Sequence, residues 1–143
     1  MVGVLIISHG GLAEALISAT QFLVGNLRKV KGISIWPKDR EKEVRERIQK
    51  EIEEVDDGDG VVILTDILGG TPTNLSLSLL EDEKVEVVTG VNVPMLLTLF
   101  SYRKGRSLKE ISELVKKSGR RSIILAKEVL RLKRKEKTKS QNV

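Results

Sequence analysis

The 143-residue sequence has no cysteine and one histidine. Disulfides, thiolate nucleophiles and thiolate metal ligands are thereby excluded. A single imidazole with scattered carboxylates does not make a zinc set either, so neither metal nor cofactor is expected. Aromatic residues are 3% of the chain, too few for a base-stacking nucleic-acid surface. No apolar run approaches the ~20 residues of a membrane-spanning helix, and no basic segment precedes the first apolar run as it would in a secretory signal. These absences lead to the expectation of a cytoplasmic protein with no membrane insertion and no nucleic-acid partner.

A chain of this length is expected to form one domain that buries roughly 70% of its unfolded surface, enough to need no staple. Its 25 cations and 20 anions give a net charge of +5. That excess lies at one end: Arg131, Lys133, Arg134, Lys135, Lys137 and Lys139 against Glu136. The division expected is a neutral body over residues 1–130 and a basic, solvated, mobile tail over 131–143.

Strand and helix signals alternate along the body. Val2–Ser8 is an apolar, β-branched run that reads as a buried strand. Gly11–Val24 reads as a helix with Leu12, Ala15, Leu16, Ala19 and Leu23 on one face. Gly32–Trp36 is a second strand, and Asp39 is placed to cap a charged helix reaching Val55, with Val44, Ile48, Ile52 and Val55 as its apolar stripe. Val61–Thr65 is an unbroken apolar strand of the kind found at the centre of a parallel sheet. A short helix over Thr73–Leu80 and a strand over Lys84–Thr89 follow. Helices over Met95–Tyr102 and Ser107–Lys117 come next, the second stopped by Ser118-Gly119, and Arg121–Ala126 reads as a last short strand.

This alternation implies an α/β doubly wound sheet, flavodoxin-like, with four parallel strands in the order 2-1-3-4. In such a sheet ligands bind beyond the carboxyl ends of strands 1 and 3, where the strand order reverses. His9 ends the first strand and Asp66 follows the third. A carboxylate that accepts the N–H of a neutral imidazole sets its tautomer and leaves the other nitrogen free as a nucleophile. Asp66 fits that role, and fits equally the cap of the next helix. Two glycine loops, Gly10-Gly11 and Gly69-Gly70-Thr71-Pro72, each open a helix, whose backbone N–H groups favour an anion. Their convergence on His9 describes a phosphate-sized site, with Thr71 adding a hydroxyl. Neither loop ends in the Gly-Lys-Ser/Thr of a nucleotide-triphosphate loop, and no Gly-x-Ser-x-Gly elbow is present.

Three motifs stand in order along the chain: Ser8-His9-Gly10 after a strand, Thr65-Asp66-Ile67-Leu68-Gly69-Gly70-Thr71-Pro72-Thr73-Asn74, and Gly90-Val91-Asn92-Val93-Pro94-Met95-Leu96. Over roughly residues 1–130 the chain resembles the enzyme IIA domain of the mannose/fructose/sorbose family of the bacterial sugar phosphotransferase system. The resemblance implies a phosphocarrier without cofactor. His9 would accept a phosphoryl group from the phosphohistidine of HPr and pass it to enzyme IIB of a membrane sugar permease complex. Asp66 would orient the imidazole, Gly10, Gly70 and Thr71 would contact the phosphoryl group, and Gly69 and Asn92 would line the rim. It further implies a homodimer, with Arg121–Ala126 as a C-terminal antiparallel edge strand at the subunit contact. Enzyme IIB is expected on a separate polypeptide. Thr73 stands where many relatives carry an aromatic, a change expected to alter partner contact more than chemistry. Three other readings compete: a regulatory or dihydroxyacetone-kinase-linked phosphotransfer domain, a tetrapyrrole metal chelatase, which would want a second histidine, and a non-catalytic binding module.

Overall fold

The computed structural model describes residues 1–80 and 82–141. Asn142 and Val143, the last two residues of the expected tail, lie outside the described residues, as does Glu81.

Four parallel strands form one sheet in the order β2-β1-β3-β4: β1 (Gly3–His9), β2 (Val30–Ile35), β3 (Val61–Thr65) and β4 (Val85–Val88). This is the order expected from the sequence. The strand register sets Ile7 beside Thr65 and His9 beside Ile35, so the carboxyl ends of the three strands finish together. The helices are α1 (Leu12–Val24), α2 (Glu41–Val55), α3 (Thr71–Leu77), α4 (Val93–Tyr102), α5 (Leu108–Arg121) and α6 (Ala126–Gln141).

The alternation of side chains along a strand divides the interior into two layers. Val4, Ile6, Val62 and Leu64 face one side, where α1, α4 and α5 cover them with Ala13, Met95, Leu96, Leu99, Ile111 and Val115. Leu5, Ile7, Val61 and Ile63 face the other, covered by Val44, Ile48 and Val55 of α2 and Leu75 of α3. Each fully buried aliphatic side chain contributes about 1.5–3 kcal/mol, so the central strands β1 and β3, covered on both faces, are the anchor of the fold.

Several local expectations are corrected. The helix over Gly11–Val24 buries Ala13 and Thr20, with Leu16 and Ile17 against the core, while Leu12 and Leu23 are exposed. The stripe is rotated because Thr20 satisfies its hydroxyl on the Leu16 carbonyl (2.8 Å) and so tolerates burial. Asp39 does not cap α2: Arg40 holds that position, and the Asp39 carboxylate accepts the Trp36 N–H at 2.8 Å in the preceding turn. The helix expected over Thr73–Leu80 begins earlier, at Thr71, with Pro72 in its first turn, and ends at Leu77. Ser118-Gly119 does not stop α5, which runs to Arg121. Gly119 is there for packing, since a Cβ would lie 2.7 Å from Met95 Cγ.

The C-terminal antiparallel edge strand expected over Arg121–Ala126 is absent from the described residues. Arg121 closes α5, and the Ser122 N–H and hydroxyl both bond the Gly119 carbonyl, ending the helix. Ile123, Ile124 and Leu125 then cross exposed to α6. A strand needs an edge to pair with, and this short link does not return to the sheet of its own chain. The basic tail is helical through Gln141.

Candidate functional site

β1 carries apolar residues into the core up to Ser8, and His9 is the first to emerge. Ser8 is buried: its hydroxyl accepts the Ala13 N–H at 2.7 Å and donates to the Gly10 carbonyl at 3.2 Å. These bonds join the start of α1 to the end of β1. Gly10 takes φ +56°, a conformation that favours glycine, and its N–H bonds Ile35 O at 2.8 Å on β2. The backbone is therefore held on both sides of His9.

Asp66 follows β3 and meets His9 as the topology requires. One carboxylate oxygen, Oδ2, lies 2.8 Å from His9 Nδ1 and accepts the His9 backbone N–H at 2.9 Å. The other, Oδ1, accepts the Ile67 N–H at 2.9 Å. Burial raises the Asp66 carboxyl pKa, but the backbone and side-chain hydrogen bonds from His9, the Ile67 N–H and the attraction of the imidazole outweigh it, and the net shift is downward. Of the two roles open to Asp66 in the sequence, contact with the imidazole is the one realised. The His9 side chain is 48% exposed and that of Asp66 11%. With Nδ1 turned to the carboxylate, Nε2 is the ring nitrogen that Asp66 does not engage.

Gly70 lies against that second nitrogen. A Cβ on Gly70 would stand 2.5 Å from His9 Cε1 and 2.9 Å from Nε2. Gly69 takes φ +91°, which turns the loop into α3. Gly70 precedes that helix, and Thr71 is its exposed first residue. Asn92 is at the carboxyl side of β4, where its Oδ1 accepts the Met95 N–H at 3.0 Å and caps α4. The neighbouring Val91 N–H bonds Thr65 O at 2.9 Å and ties that loop to the end of β3.

Two further residues stand at the site, Thr73 of the second motif and Trp36, which no motif contains. Thr73 is fully buried, so its expected effect on partner contact is corrected to an internal one. Its hydroxyl donates to the Ile67 carbonyl and receives that of Thr65 at 2.7 Å, fastening the loop that carries Asp66. Trp36, just after β2, borders Gly10: a Cβ there would be 3.6 Å from the indole. Trp36, Leu12, Ile67 and Leu68 are exposed apolar residues on the loops and helix start next to His9. Trp36 stands one residue beyond Ile35, the partner of His9 in the strand register, a relation that only the folded sheet shows.

Fold and site define an α/β protein with a histidine–aspartate couple at its topological switch point. The family model described as "PTS system fructose IIA component" matches residues 3–116. The chain is 27% identical over 143 residues to the PTS system fructose-specific EIIA component of Bacillus subtilis, covering 99% of this chain and 94% of that protein. It is 31% identical over 124 residues to the PTS system mannose-specific EIIAB component of Escherichia coli K12, covering 85% of this chain but 38% of that longer protein. The crystal structure of phosphotransferase system component EIIA from Streptococcus agalactiae superposes with a TM-score of 0.82 at 28% identity, covering 90% of this chain and 99% of the other. The chain belongs to the mannose/fructose family of PTS IIA components, which are phosphotransfer proteins of sugar uptake.

Proposed function

We propose that His9 is the phosphoryl carrier and that Nε2 is the atom that bears the group. The observation that carries this reading is the 2.8 Å contact between His9 Nδ1 and Asp66, with Gly70 against Nε2. A proton on Nδ1, donated to Asp66, leaves the Nε2 lone pair to attack phosphorus. As the new N–P bond forms, the P–N bond to the imidazole of phospho-HPr breaks, and the electron pair returns to HPr. Asp66 stabilises the positive charge that His9 gains. The reverse step delivers the group to enzyme IIB of a membrane sugar permease complex. Gly70 and Thr71 supply a backbone N–H group and a hydroxyl to the phosphoryl oxygens; Gly10, whose own N–H is held by Ile35 O, borders them without a free donor, and Gly69 and Asn92 shape the rim. Transfer of this kind rests on alignment and charge stabilisation.

The exposed side chains of Leu12, Trp36, Ile67 and Leu68, on the segments that follow β1, β2 and β3, support docking of carrier proteins at this end of the sheet. A cytoplasmic setting follows from those partners. A homodimer accounts for two further features: β4 is an edge strand, and Ile123, 86% exposed, begins an apolar Ile123–Leu125 segment with no cover of its own. Pairing of that segment with a second copy would cover both.

The test is phosphorylation with phosphoenolpyruvate, enzyme I and HPr. Acid-labile, base-stable phosphate on the wild type, absent from His9→Ala, is expected. An unlabelled wild type beside labelled HPr would overturn the reading.

A further inference from the structure

We propose that α6 binds the anionic surface of a lipid bilayer. Lys127, Arg131, Lys133, Arg134, Lys135, Lys137 and Lys139 stand on this helix against Glu128 and Glu136, so it carries the whole net charge of the chain and residues 1–125 are neutral. Lys127 to Lys139 are all exposed, as are the apolar Val129, Leu130 and Leu132.

Helical periodicity arranges these residues by type. Val129 and Leu132 share one face, with Leu130 beyond its border, and Glu136 ends the strip one turn after Leu132. Lys133 and Lys137 lie three and seven residues beyond Leu130, along the edge of that face, where long stems can lie flat and lift their ammonium groups to phosphate level. Lys127, Arg131 and Arg134 occupy the opposite side. An apolar strip bordered by lysines suits a helix lying in the interface plane. The apolar strip is short, so charge is the larger contribution, at about a factor of five in binding per cation near the surface. Nucleic acid would match the charge but would leave Val129 and Leu132 without a role, and the helix has no aromatic to stack on bases. Among the described residues no helix is long and apolar enough to cross a membrane, so the contact is peripheral and reversible. It does not depend on the chemistry proposed for His9.

The full chain is tested by co-sedimentation with vesicles of phosphatidylcholine alone and of phosphatidylcholine and phosphatidylglycerol in equal parts. Binding to the mixed vesicles alone is expected, and it should weaken steeply between roughly 0.1 M and 1 M salt, where the Debye length falls from about 10 to about 3 Å. Replacing Lys133, Arg134, Lys135 and Lys137 together by Gln, which keeps helix propensity, is expected to weaken binding by up to about 600-fold, a factor of about five for each cation. Val129→Ser with Leu132→Ser is expected to weaken it about tenfold. His9→Ala should bind vesicles as the wild type does, which separates this proposal from the phosphocarrier reading. Equal binding to both vesicle types, binding to neither, or tighter binding to duplex DNA than to the mixed vesicles would overturn it.

Discussion

Asp66 contacts His9 through both its imidazole and its backbone N–H, so side-chain orientation and strand-end geometry share one carboxylate. Asp66→Asn is expected to slow phosphorylation by about 10–100-fold with the fold intact, as loss of an orienting partner does; rapid-quench transfer from phospho-HPr measures it. The folded Asp66 carboxyl lies below its ordinary value of 3.8. Its contribution to stability is therefore complete above about pH 4 and lost as pH falls through the lower folded value. Urea titrations of wild type and Asp66→Asn should differ at neutral pH, and the difference should shrink as the pH falls below the ordinary carboxyl value of 3.8. Gly70→Ala separates space from conformation. Gly70 has φ −86°, which alanine adopts freely, yet its Cβ would meet the imidazole. The ring must turn away from Asp66 to make room, and a loss of transfer with little change in melting temperature is expected. The contact between His9 and Asp66 was legible from their places at the ends of adjacent parallel strands. Thr73 and Trp36 were not legible, because what they do is set by neighbours far along the chain.

Among the strands and helices, the alternation of apolar runs and helical stripes was enough to find β1, β3 and α2, whose residues face a core on periods of two and 3.6. It misjudged the face of α1 and the end of α5, where a buried threonine and a close-packed glycine contradict simple hydrophobic patterning. Gly3 in β1 is another such position: a Cβ there would overlap the Val55 backbone carbonyl at the end of α2. Backbone cannot yield as a side chain does, so Gly3→Ala is expected to cost about 1–3 kcal/mol or more, read as a lower urea midpoint with unchanged slope.

Arg103 joins distant parts of the molecule at the end of the sheet remote from His9. Its buried guanidinium donates to the carbonyls of Val2 at 3.2 Å, of Lys29 at 3.4 Å and of Arg28, and lies 4.7 Å from the Phe100 ring centre. Arg103→Met removes the donors, among them the one that reaches the buried Val2 carbonyl, so a loss of about 1–3 kcal/mol is expected in denaturant titration, with the His9 site unaffected. Ending the chain after Leu130 should leave folding and phosphorylation intact; a fall in either would show that α6 supports the body. Strand order, the covering of both sheet faces and the pairing of the histidine with its aspartate were all readable in the sequence, because periodicity and side-chain chemistry are local properties. Which nitrogen of His9 is left open, why Gly70 must lack a side chain, and that the segment after α5 is no strand in its own chain came from the folded molecule alone. Those depend on contacts between residues far apart in sequence, and a strand depends on an edge that another part of the molecule, or another molecule, must supply.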